Sequence, residues 1–524
     1  MRFYEYILLC LSSWICNSNG AKILGIIPTA SYSHQITFHP LWRELAARGH
    51  NVTVITTDPL ANSTAPNLRQ IDIGEVHEFF QRVRFYEIIS GDPTYFWNIA
   101  LFLRQVTLDL ARILINNEEI AKLKGESFDL IIGEAHFPSI LGLIGHFRCP
   151  WIGVSSMESG IQYNVAIGNP THPILNPDYN LPLENLEDLS FTERVASLVY
   201  RVGLVYTINV YLFPTLDGIY KESGLRHVPL IQVQNNISML FVTTHPIFHN
   251  LRPVFPNTIS IGTGMHFQQS KPLPNDLQKF LDEAERGVIY FSLGSNVKAN
   301  LLTESFKKAI TGAFAEIPYK VLLKMDDVLV DASENVLVRK WMPQQDILRH
   351  KNVKLFITQG GLQSLQESVV NGIPLIGIPF FGDQITNVNK MVKKGYGLKI
   401  NRRTITKDIL VSAIKEVMDN PKYRETAELM GEIFRDEEIP SLQRAVYWTE
   451  YVIRHKGAKH LRSPSLGMPA WKFYMLDVLG FLFVTCLLVL MVFYYCVKMF
   501  CRLVRRLCCN GGRPRSNRSK IKRN

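Results

Sequence analysis

The sequence predicts an α/β protein with two Rossmann-like, doubly wound lobes and a single C-terminal transmembrane helix. Two segments about 265 residues apart have the order strand, loop, helix, strand, which opens a parallel sheet covered by helices. Residues 478–497 carry no charge and match the roughly 20 apolar residues that a bilayer-spanning helix needs. A chain of 524 residues is also too long for one hydrophobic core, so two lobes are expected.

The chain begins with a segment typical of a secretory signal peptide. Arg2 precedes a short apolar run at 6–16, and small polar residues follow up to Gly20. The predicted organisation is a signal peptide at 1–20, an N-terminal lobe at 21–270, a C-terminal lobe at 271–462, a linker at 463–477, the transmembrane helix at 478–497 and a basic tail at 498–524.

The formal net charge of +11 is concentrated in the tail. Ten lysines and arginines follow the predicted span with no acid among them, so subtracting ten from eleven leaves about +1 for the rest of the chain. A nearly neutral body offers no basic face, and no nucleic-acid partner is expected. Because arginines follow the span directly, the positive-inside rule places the tail in the cytosol and the body in the lumen.

Cysteine usage and short motifs agree with this topology. Of eight cysteines, only Cys149 lies in the predicted lumenal body, so an intrachain lumenal disulfide is impossible there. Glycosylation sequons occur at Asn51, Asn62 and Asn236, although Asn51 opens a predicted buried strand. The tail ends KIKRN, which resembles a dilysine-type return signal. We expect a single-pass type I glycoprotein of the endoplasmic reticulum membrane.

In the first lobe, strands are predicted at 23–27 and 52–56. The helix between them carries its apolar residues on one face. Because proline fits only in the first turn of a helix, Pro40 predicts that His34 lies in the loop ahead of it.

In the second lobe, strands are predicted at 288–292 and 321–323, with a helix at 305–315 between them. A strand at 354–358 and a helix at 361–370 follow, and a further strand is predicted at 375–378.

Between the lobes, residues 195–213 form a long apolar run that includes Arg201. An arginine at the centre of a span costs about 2.5 to 3.5 kcal/mol on insertion scales. We interpret the run as buried or membrane-touching helices and expect core packing.

The stretch ITQGGLQSLQE, residues 357–367, places two glycines and a serine where a helix begins. This N-terminus faces the crevice at the carboxyl ends of the strands, where free N–H groups and the helix dipole attract an anion. Gly360 and Gly361 admit phosphate oxygens close to the backbone, and Ser364 adds a hydroxyl donor. Glycine pairs also open helices for packing reasons, so the stretch alone leaves phosphate binding open.

The motifs around this helix resemble the donor-binding signature of the UDP-glycosyltransferases. In order they are WMPQQDIL (341–348), QGGLQSLQE (359–367), NGIP (371–374) and DQ (383–384). The segment RAVYWTEYVIRHKGAKHLR (444–462), followed by a span and a basic tail, is similar to the animal membrane-bound branch called UDP-glucuronosyltransferases. The resemblance covers nearly the whole chain and implies the GT-B arrangement of two Rossmann-like lobes.

The resemblance implies a donor site in the C-terminal lobe. Trp341 would stack on uracil, Gln344 would contact the uridine, and Glu367 would accept hydrogen bonds from the ribose. Asp383 and Gln384 would hold the sugar hydroxyls, and the serines and glycines would hold the diphosphate. Structural alternatives are a core aromatic for Trp341, a solvated helix residue for Glu367 and a polar turn for Asp383 and Gln384. The predicted donor-binding residues are Ser295, Trp341, Gln344, Gln359, Gly360, Gly361, Ser364, Glu367, Asp383 and Gln384.

The catalytic base of the family is matched by His34. It would take the proton from an acceptor hydroxyl while that oxygen attacks C1 of the sugar from the face opposite UDP, which inverts the anomeric centre. An imidazole titrates near neutral pH and suits this role. The structural alternative for His34 is a histidine in a surface loop that takes no part in catalysis.

Two positions depart from the family pattern. Glu134 stands where the usual aspartate would orient the base, and Asp129 and His136 remain alternatives for that role. Gln359 replaces a common histidine; its amide can donate to phosphate but carries no charge.

The resemblance therefore implies an inverting UDP-glycosyltransferase of detoxification type, which moves a glucosyl or glucuronosyl group to a hydroxyl of small lipophilic acceptors. No Cys/His spacing or clustered carboxylates demand a metal, so no cofactor is expected besides the UDP-sugar co-substrate. The donor sugar and a homo-oligomer are left open. One alternative is a family member that binds UDP-sugar or a lipophile without catalysis. A Rossmann dehydrogenase or receptor is disfavoured because no G-x-G-x-x-G follows the first strand.

Overall fold

The computed structural model describes residues 20–60, 65–89, 96–181, 183, 188–326 and 333–509, without the side chains of 96–100, 300 and 509. Most of the predicted signal peptide, the sequon at Asn62 and the last part of the basic tail lie outside the described residues. The chain divides into a body that ends at Ser463 and a C-terminal unit that begins at Pro464.

The strands of the body, in chain order, are β1 Lys22–Ile27, β2 Asn51–Thr56, β3 Leu68–Asp72, β4 Leu130–Glu134, β5 Trp151–Ser155, β6 Met239–Val242, β7 Thr258–Ser260, β8 Val288–Ser292, β9 Lys320–Lys324, β10 Val336–Arg339, β11 Val353–Thr358, β12 Leu375–Gly377 and β13 Gly397–Lys399. Within the described residues they form two sheets. The first has the order β3-β2-β1-β4-β5-β6-β7 and the second the order β10-β9-β8-β11-β12-β13.

The helices, in chain order, are α1 Tyr32–Ala47, α2 Glu75–Arg82, α3 Phe85–Ile89, α4 Phe96–Asn116, α5 Glu118–Lys122, α6 Leu141–Phe147, α7 Ile161–Ile167, α8 Phe191–Thr207, α9 Phe213–Glu222, α10 Leu230–Asn235, α11 Asn275–Asp282, α12 Glu304–Glu316, α13 Gln344–Leu348, α14 Leu362–Val370, α15 Gln384–Lys394, α16 Lys407–Asp419, α17 Pro421–Arg435, α18 Ser441–Arg454, α19 Ala470–Phe473 and α20 Leu476–Cys509. A π-helical stretch, Ile208–Leu212, joins α8 to α9.

All described pairings between strands are parallel, and the central strands are apolar on both faces. In β1, Leu24 and Ile26 enter one core cluster while Ile23 and Ile27 enter another. Strands that are buried on both faces need helices on both sides of the sheet. The predicted pair of Rossmann-like lobes is thereby confirmed.

One local prediction is wrong: His34 lies in the first turn of α1, not in a loop ahead of it. The helix begins at Tyr32 and contains Pro40 in its interior. An interior proline costs roughly 3 kcal/mol because it removes a backbone hydrogen bond and crowds the preceding turn. Phe38 and Leu41 are fully buried on either side of it, and this packing outweighs the cost.

The long apolar run also differs from its predicted packing. Its inner face packs on the first lobe through Ile208, Leu212 and Phe213, as expected for core packing. Its outer face is exposed over several turns, and most of the apolar side chains of the run lie on that face.

The last helix of the body, α18, returns to the first lobe. Ala445, Val446 and Val452 are fully buried in the cluster that contains Ile23 and Leu41. The helix belongs to the sequence range predicted for the C-terminal lobe, yet its packing joins it to the N-terminal lobe. The chain therefore crosses between the lobes twice.

The C-terminal unit contains α20, an apolar helix that is a candidate membrane span. Its apolar window between Leu476 and Cys508 is fully exposed, and at 1.5 Å per residue the helix exceeds the roughly 30 Å of a bilayer core. The span predicted at 478–497 lies inside this helix.

The packing of α18 predicts a measurable loss of stability. Val446→Ala should lower the free energy of unfolding by about 1 to 3 kcal/mol, because it leaves a cavity between this helix and the first lobe. Chemical denaturation of the purified full-length protein checks this result. Gln443→Ala, at an exposed position of the same helix, should leave stability unchanged; an equal loss in both variants would contradict the packing.

Candidate active site

A buried histidine–carboxylate pair lies at the carboxyl edge of the first sheet. Because β1 and β4 are neighbours in the sheet, the chain after β1 and the end of β4 meet at this edge. His34 Nδ1 lies 2.5 Å from Glu134 Oε1. Thr29, in the loop after β1, donates its N–H at 3.2 Å and its hydroxyl at 2.6 Å to Glu134 Oε2. Both carboxylate oxygens are therefore engaged.

The environment of Glu134 keeps it ionised. The carboxylate is only 1% exposed, and burial alone would raise its pKa. The charge and hydrogen bond of His34, with smaller contributions from His136 and Thr29, outweigh burial and hold the pKa below its ordinary value. A carboxylate in this position fixes the imidazole with Nδ1 as donor, which leaves Nε2 to accept a proton.

The two alternatives for the orienting group are placed elsewhere. Asp129 lies at the opposite end of β4 and accepts the N–H of Lys22 at 2.8 Å. The His136 ring lies 5.7 Å from the His34 ring, and burial lowers its pKa to about 4, so it is neutral near pH 7 and charged only in acid. Glu134 therefore holds His34 despite its extra methylene.

The N-terminus of α14 lies at the carboxyl edge of the second sheet, directly after β11. Gly361 is the N-cap residue, and no side chain of the described chain caps the helix. Gly360 has φ of +85°, and a Cβ there would lie 2.3 Å from Val388 Cγ2. Gly361 has an ordinary φ of −63°. The first glycine is thus required by the turn, whereas the second leaves the helix N–H groups open to a ligand.

Gln359 lies between the turns that follow β8 and β11. Its side chain is buried, and its Oε1 has no hydrogen-bond partner among the described residues. Its Nε2 packs so closely on Gly294 that a Cβ at Gly294 would lie 2.3 Å from it. The Oε1 atom needs a donor, which a phosphate cannot supply, whereas the Nε2 group beside Gly294 and Gly361 can donate to a phosphate at the α14 N-terminus.

Glu367 is the centre of a buried polar network, not a solvated helix residue. Its Oε2 accepts the amide of Gln344 at 2.6 Å and its Oε1 accepts the amide of Gln345 at 2.9 Å. His266 Nε2 lies 3.3 Å from the same Oε1. Gln344 also donates to Ser364 Oγ at 3.1 Å. Three predicted donor-binding residues are therefore in direct contact.

Trp341 is exposed at the rim of the cleft and is not a core aromatic; 57% of its surface is accessible. Lys324 Nζ lies 4.2 Å from its ring centroid, and the Tyr32 ring meets it edge-on at 5.3 Å. Burial, followed by the charge of Lys298, lowers the pKa of Lys324 to about 8. The exposed Trp341 ring therefore lies beside the Lys324 ammonium, and this cation can contact a nucleotide phosphate.

The DQ pair is only partly oriented toward the cleft. Gln384 is buried, and its Oε1 accepts the N–H groups of Phe380 and Phe381 at 2.8 and 3.1 Å. Asp383 accepts the amide of Asn387 at 2.8 Å. Burial raises the pKa of Asp383, while the charge of His34 acts on it in the opposite direction. Asp383 is thus close enough to His34 for their charges to interact, whereas the Gln384 oxygen holds the loop at Phe380 and Phe381.

Side-chain amides join the two lobes across the cleft. Asn296 donates to Ser31 Oγ at 2.9 Å. Gln363, in the first turn of α14, donates to Thr37 Oγ1 at 3.3 Å and to the carbonyl of Ser156 at 3.0 Å. The N-terminal turns of α1 and α14 therefore face each other, and His34 lies opposite the glycine turn.

Sequence reasoning missed Thr29, Lys324 and Gln345. The sequence signal for Thr29 and Lys324 was available in principle, because each lies at or just after the carboxyl end of a strand, where ligands bind in such sheets. Gln345 follows Gln344 directly, but only the structure shows that both amides reach Glu367. Across the described part of the chain, no group of three or more His, Cys, Asp or Glu side chains is placed to hold a metal ion.

Comparison with known proteins finds similarity along nearly the whole chain. A family model described as "UDP-glucoronosyl and UDP-glucosyl transferase" matches residues 21–512. The chain is 34% identical to UDP-glucosyltransferase 2 of Dactylopius coccus, over 97% of this chain and 96% of that protein. It is 30% identical to UDP-glucuronosyltransferase 2B7 of Homo sapiens, over 94% of this chain and 96% of that protein.

Solved structures with the same fold are more distant in sequence. UDP-glucose: anthocyanidin 3-O-glucosyltransferase in complex with UDP matches with a TM-score of 0.56 and 18% identity, over 83% of this chain and 100% of that chain. The glycotransferase of kitacinnamycin matches with a TM-score of 0.56 and 19% identity, over 82% of this chain and 99% of that chain. These matches establish the fold.

The pair formed by His34 and Glu134 predicts a pH dependence of stability. The folded-state pKa of Glu134 lies below its ordinary value of 4.5, so the carboxylate stabilises the fold above that pH, and the stabilisation is lost as the pH falls through the folded-state pKa. Glu134→Gln should therefore show a shallower loss of unfolding free energy than wild type below about pH 4.5. Glu304→Gln, at an exposed carboxylate, is the control and should follow wild type; equal slopes in all three proteins would contradict the assignment.

The two glycines predict separable effects. Gly360→Ala should destabilise the protein by more than about 1 kcal/mol, because φ is positive and the methyl group meets Val388. Gly361→Ala should fold normally but raise the KM for the donor roughly tenfold, since its methyl group blocks a charge-assisted hydrogen bond to phosphate. Denaturation and donor titration measure the two effects, and an unchanged donor KM in Gly361→Ala would contradict the phosphate site.

Proposed function

The chain belongs to the UDP-glucuronosyl and UDP-glucosyl transferase family and is a UDP-glycosyltransferase; from this premise we propose that it transfers a hexosyl group with inversion to a hydroxyl of small lipophilic acceptors. The observation that carries the proposal is the juxtaposition of two features across one cleft. The His34–Glu134 pair lies on the first lobe, and the uncapped N-terminus of α14 lies on the second.

The donor would bind along the second lobe. Uracil stacks on the exposed ring of Trp341, and the ribose hydroxyls exchange hydrogen bonds with the network centred on Glu367. The diphosphate lies against the N–H groups at Gly361, where Gln359 and Ser295 add uncharged donors. Because side-chain amides bridge the lobes directly, the lobes must part to admit the nucleotide.

The chemical step uses the histidine as general base. His34 Nε2 takes the proton from the acceptor hydroxyl as that oxygen attacks C1 of the sugar, and the bond from C1 to the UDP oxygen breaks on the opposite face. Ionised Glu134 stabilises the imidazolium that forms. The charge that develops on the leaving diphosphate is stabilised by the α14 N-terminus and its donors.

An aromatic cluster supports a lipophilic acceptor. Phe85, Tyr86 and Phe137 lie on the first lobe beside His136, whose ring is next to that of His34. Tyr86 also faces Phe381 of the second lobe at 5.7 Å. Apolar and aromatic walls with a few polar groups are typical of sites for small organic molecules.

The location proposed for this chemistry is the lumenal face of the endoplasmic reticulum membrane. The candidate span of α20 supports membrane anchorage, and the arginines behind it support a lumenal body. The signal peptide, glycosylation and a role in detoxification belong to the same proposal. Asn51 and Asn236 are exposed and accessible to modification.

The identity of the sugar follows from neither lobe, because relatives named for glucosyl and for glucuronosyl transfer both match the chain. A second candidate function, donor binding without turnover, is favoured by one observation. Gln359 is uncharged where the family commonly has a histidine, so stabilisation of the leaving diphosphate is weaker.

A donor and variant assay separates these candidates. Purified full-length protein with a panel of phenols should turn over UDP-glucose or UDP-glucuronate, and His34→Ala should lower kcat/KM by about 10²- to 10⁴-fold while donor binding persists. His77→Ala, at a surface histidine paired with Asp58, should keep wild-type activity. Donor binding with no turnover in wild type would establish the binding-only candidate, and full activity in His34→Ala would refute the proposed base.

A further inference from the structure

The long helix formed by α8, the π-helical stretch and α9 has polar side chains turned inward. Ser197 donates to the carbonyl of Pro173 at 2.5 Å, and Arg201 donates to Thr171 Oγ1 at 2.6 Å. A helix on the surface of a soluble protein normally has the opposite arrangement, with its polar side toward water. The positive charge of Arg201 would oppose membrane insertion, but its guanidinium is hydrogen-bonded to Thr171 on the inner face of the helix.

The outward face of the same helix is an uncharged apolar stripe. Leu198 and Val202, one turn apart, are 51% and 61% exposed. The residues of this surface, called the α8 stripe, are Phe191, Val195, Leu198, Val199, Val202, Tyr206 and Val210. Together they expose several hundred Å² of apolar area, which is at or above the largest patch on a typical soluble monomer.

Exposed charges occur only at the ends of this helix. Glu193 and Arg194 lie in the first turn, and Lys221 and Glu222 lie exposed at the last turn. Of the charged residues between them, Arg201 binds Thr171 and Asp217 pairs with His227 at 3.0 Å. The end charges balance in sign and the face between them is uncharged, so this face complements acyl chains better than it complements a charged protein surface.

We propose that the α8 stripe lies in the bilayer surface, parallel to the membrane, as a second membrane contact of the body. The inference rests on the proposed membrane anchorage through α20. A covalent anchor keeps a bilayer at high effective concentration, so even a weak interfacial helix remains bound. The helix lies on the membrane and does not span it, because its inner face is held by the core of the first lobe.

The inner side of the helix connects this contact to the cleft. Tyr200 donates to Asp178 Oδ1 at 3.4 Å, and Asp178 lines a small cavity with Glu158. A second small cavity is also lined by Glu158, and by Thr386 of α15, the helix whose N-cap residue is Asp383. A lipophilic acceptor dissolved in the bilayer would therefore be concentrated on the side of the body that faces the reaction.

The test removes the anchor after the protein has been placed in a membrane. A protease site inserted between Leu466 and Gly467 of the full-length chain allows the body to be cut from α20 on phosphatidylcholine vesicles that contain a minority of phosphatidylserine. Sedimentation then measures the membrane-bound body in wild type, in Leu198→Gln/Val202→Gln and in Leu429→Gln/Ile433→Gln. The last variant is the matched control, because both of its residues are exposed apolar positions on α17.

Before the cut, all three proteins should sediment. After the cut, the wild-type and control bodies should stay on the vesicles, while the stripe variant should retain about tenfold less. Transfer to a water-soluble phenol in detergent should be the same in all three, which shows that the stripe variant is folded.

Other outcomes overturn the inference. Release of the wild-type body by the cut, or equal retention of the stripe variant, would refute the membrane contact while leaving the anchorage and the transferase activity intact. A released wild-type body that elutes as a dimer, but as a monomer in the stripe variant, would assign the stripe to a second copy instead. If the uncut protein failed to sediment, the proposed anchorage would fall together with this inference.

Discussion

The uncapped N-terminus of α14 is the constraint around which the rest of the site is arranged. The first N–H groups of a helix have no partner within the helix, and no described side chain supplies one here. The positive φ of Gly360 turns the chain from β11 into this helix, and Val388 closes the space behind the turn. An anion placed before Gly361 would satisfy the free N–H groups and the helix dipole together.

The opposite wall of the cleft supplies a complementary charge pattern. A buried, ionised carboxylate is tolerated at Glu134 because His34 and Thr29 engage both of its oxygens. The negative charge that holds the histidine thus lies on one lobe, and the positive helix end lies on the other. The amide hydrogen bonds that bridge the lobes are worth about 1 kcal/mol each, so contacts with a bound UDP-sugar can replace them. The return of α18 to the first lobe adds a second chain connection between the lobes.

Much of this arrangement was predictable because it follows from strand order and motif spacing. Apolar runs identified the strands around His34 and around Gly360, and parallel strands place the residues that follow them at one edge of the sheet. The start of α1 at Tyr32, two turns before Pro40, was not predictable, since burial of Phe38 and Leu41 overrides the local preference that places a proline in the first turn. Three other features depend on neighbours that are distant in sequence. The Gln384 amide points into the protein, the Lys324 ammonium lies over the Trp341 ring, and the side chains of Leu198 and Val202 are exposed.

The central claim is that the gap between the lobes receives the diphosphate of a UDP-sugar at the start of α14. An experimental structure of the protein with UDP tests it most directly. The account predicts phosphate oxygens within hydrogen-bond distance of the N–H groups of Gly361 or Leu362, with uracil stacked on Trp341. A nucleotide bound elsewhere, or phosphates turned away from that helix, would contradict it.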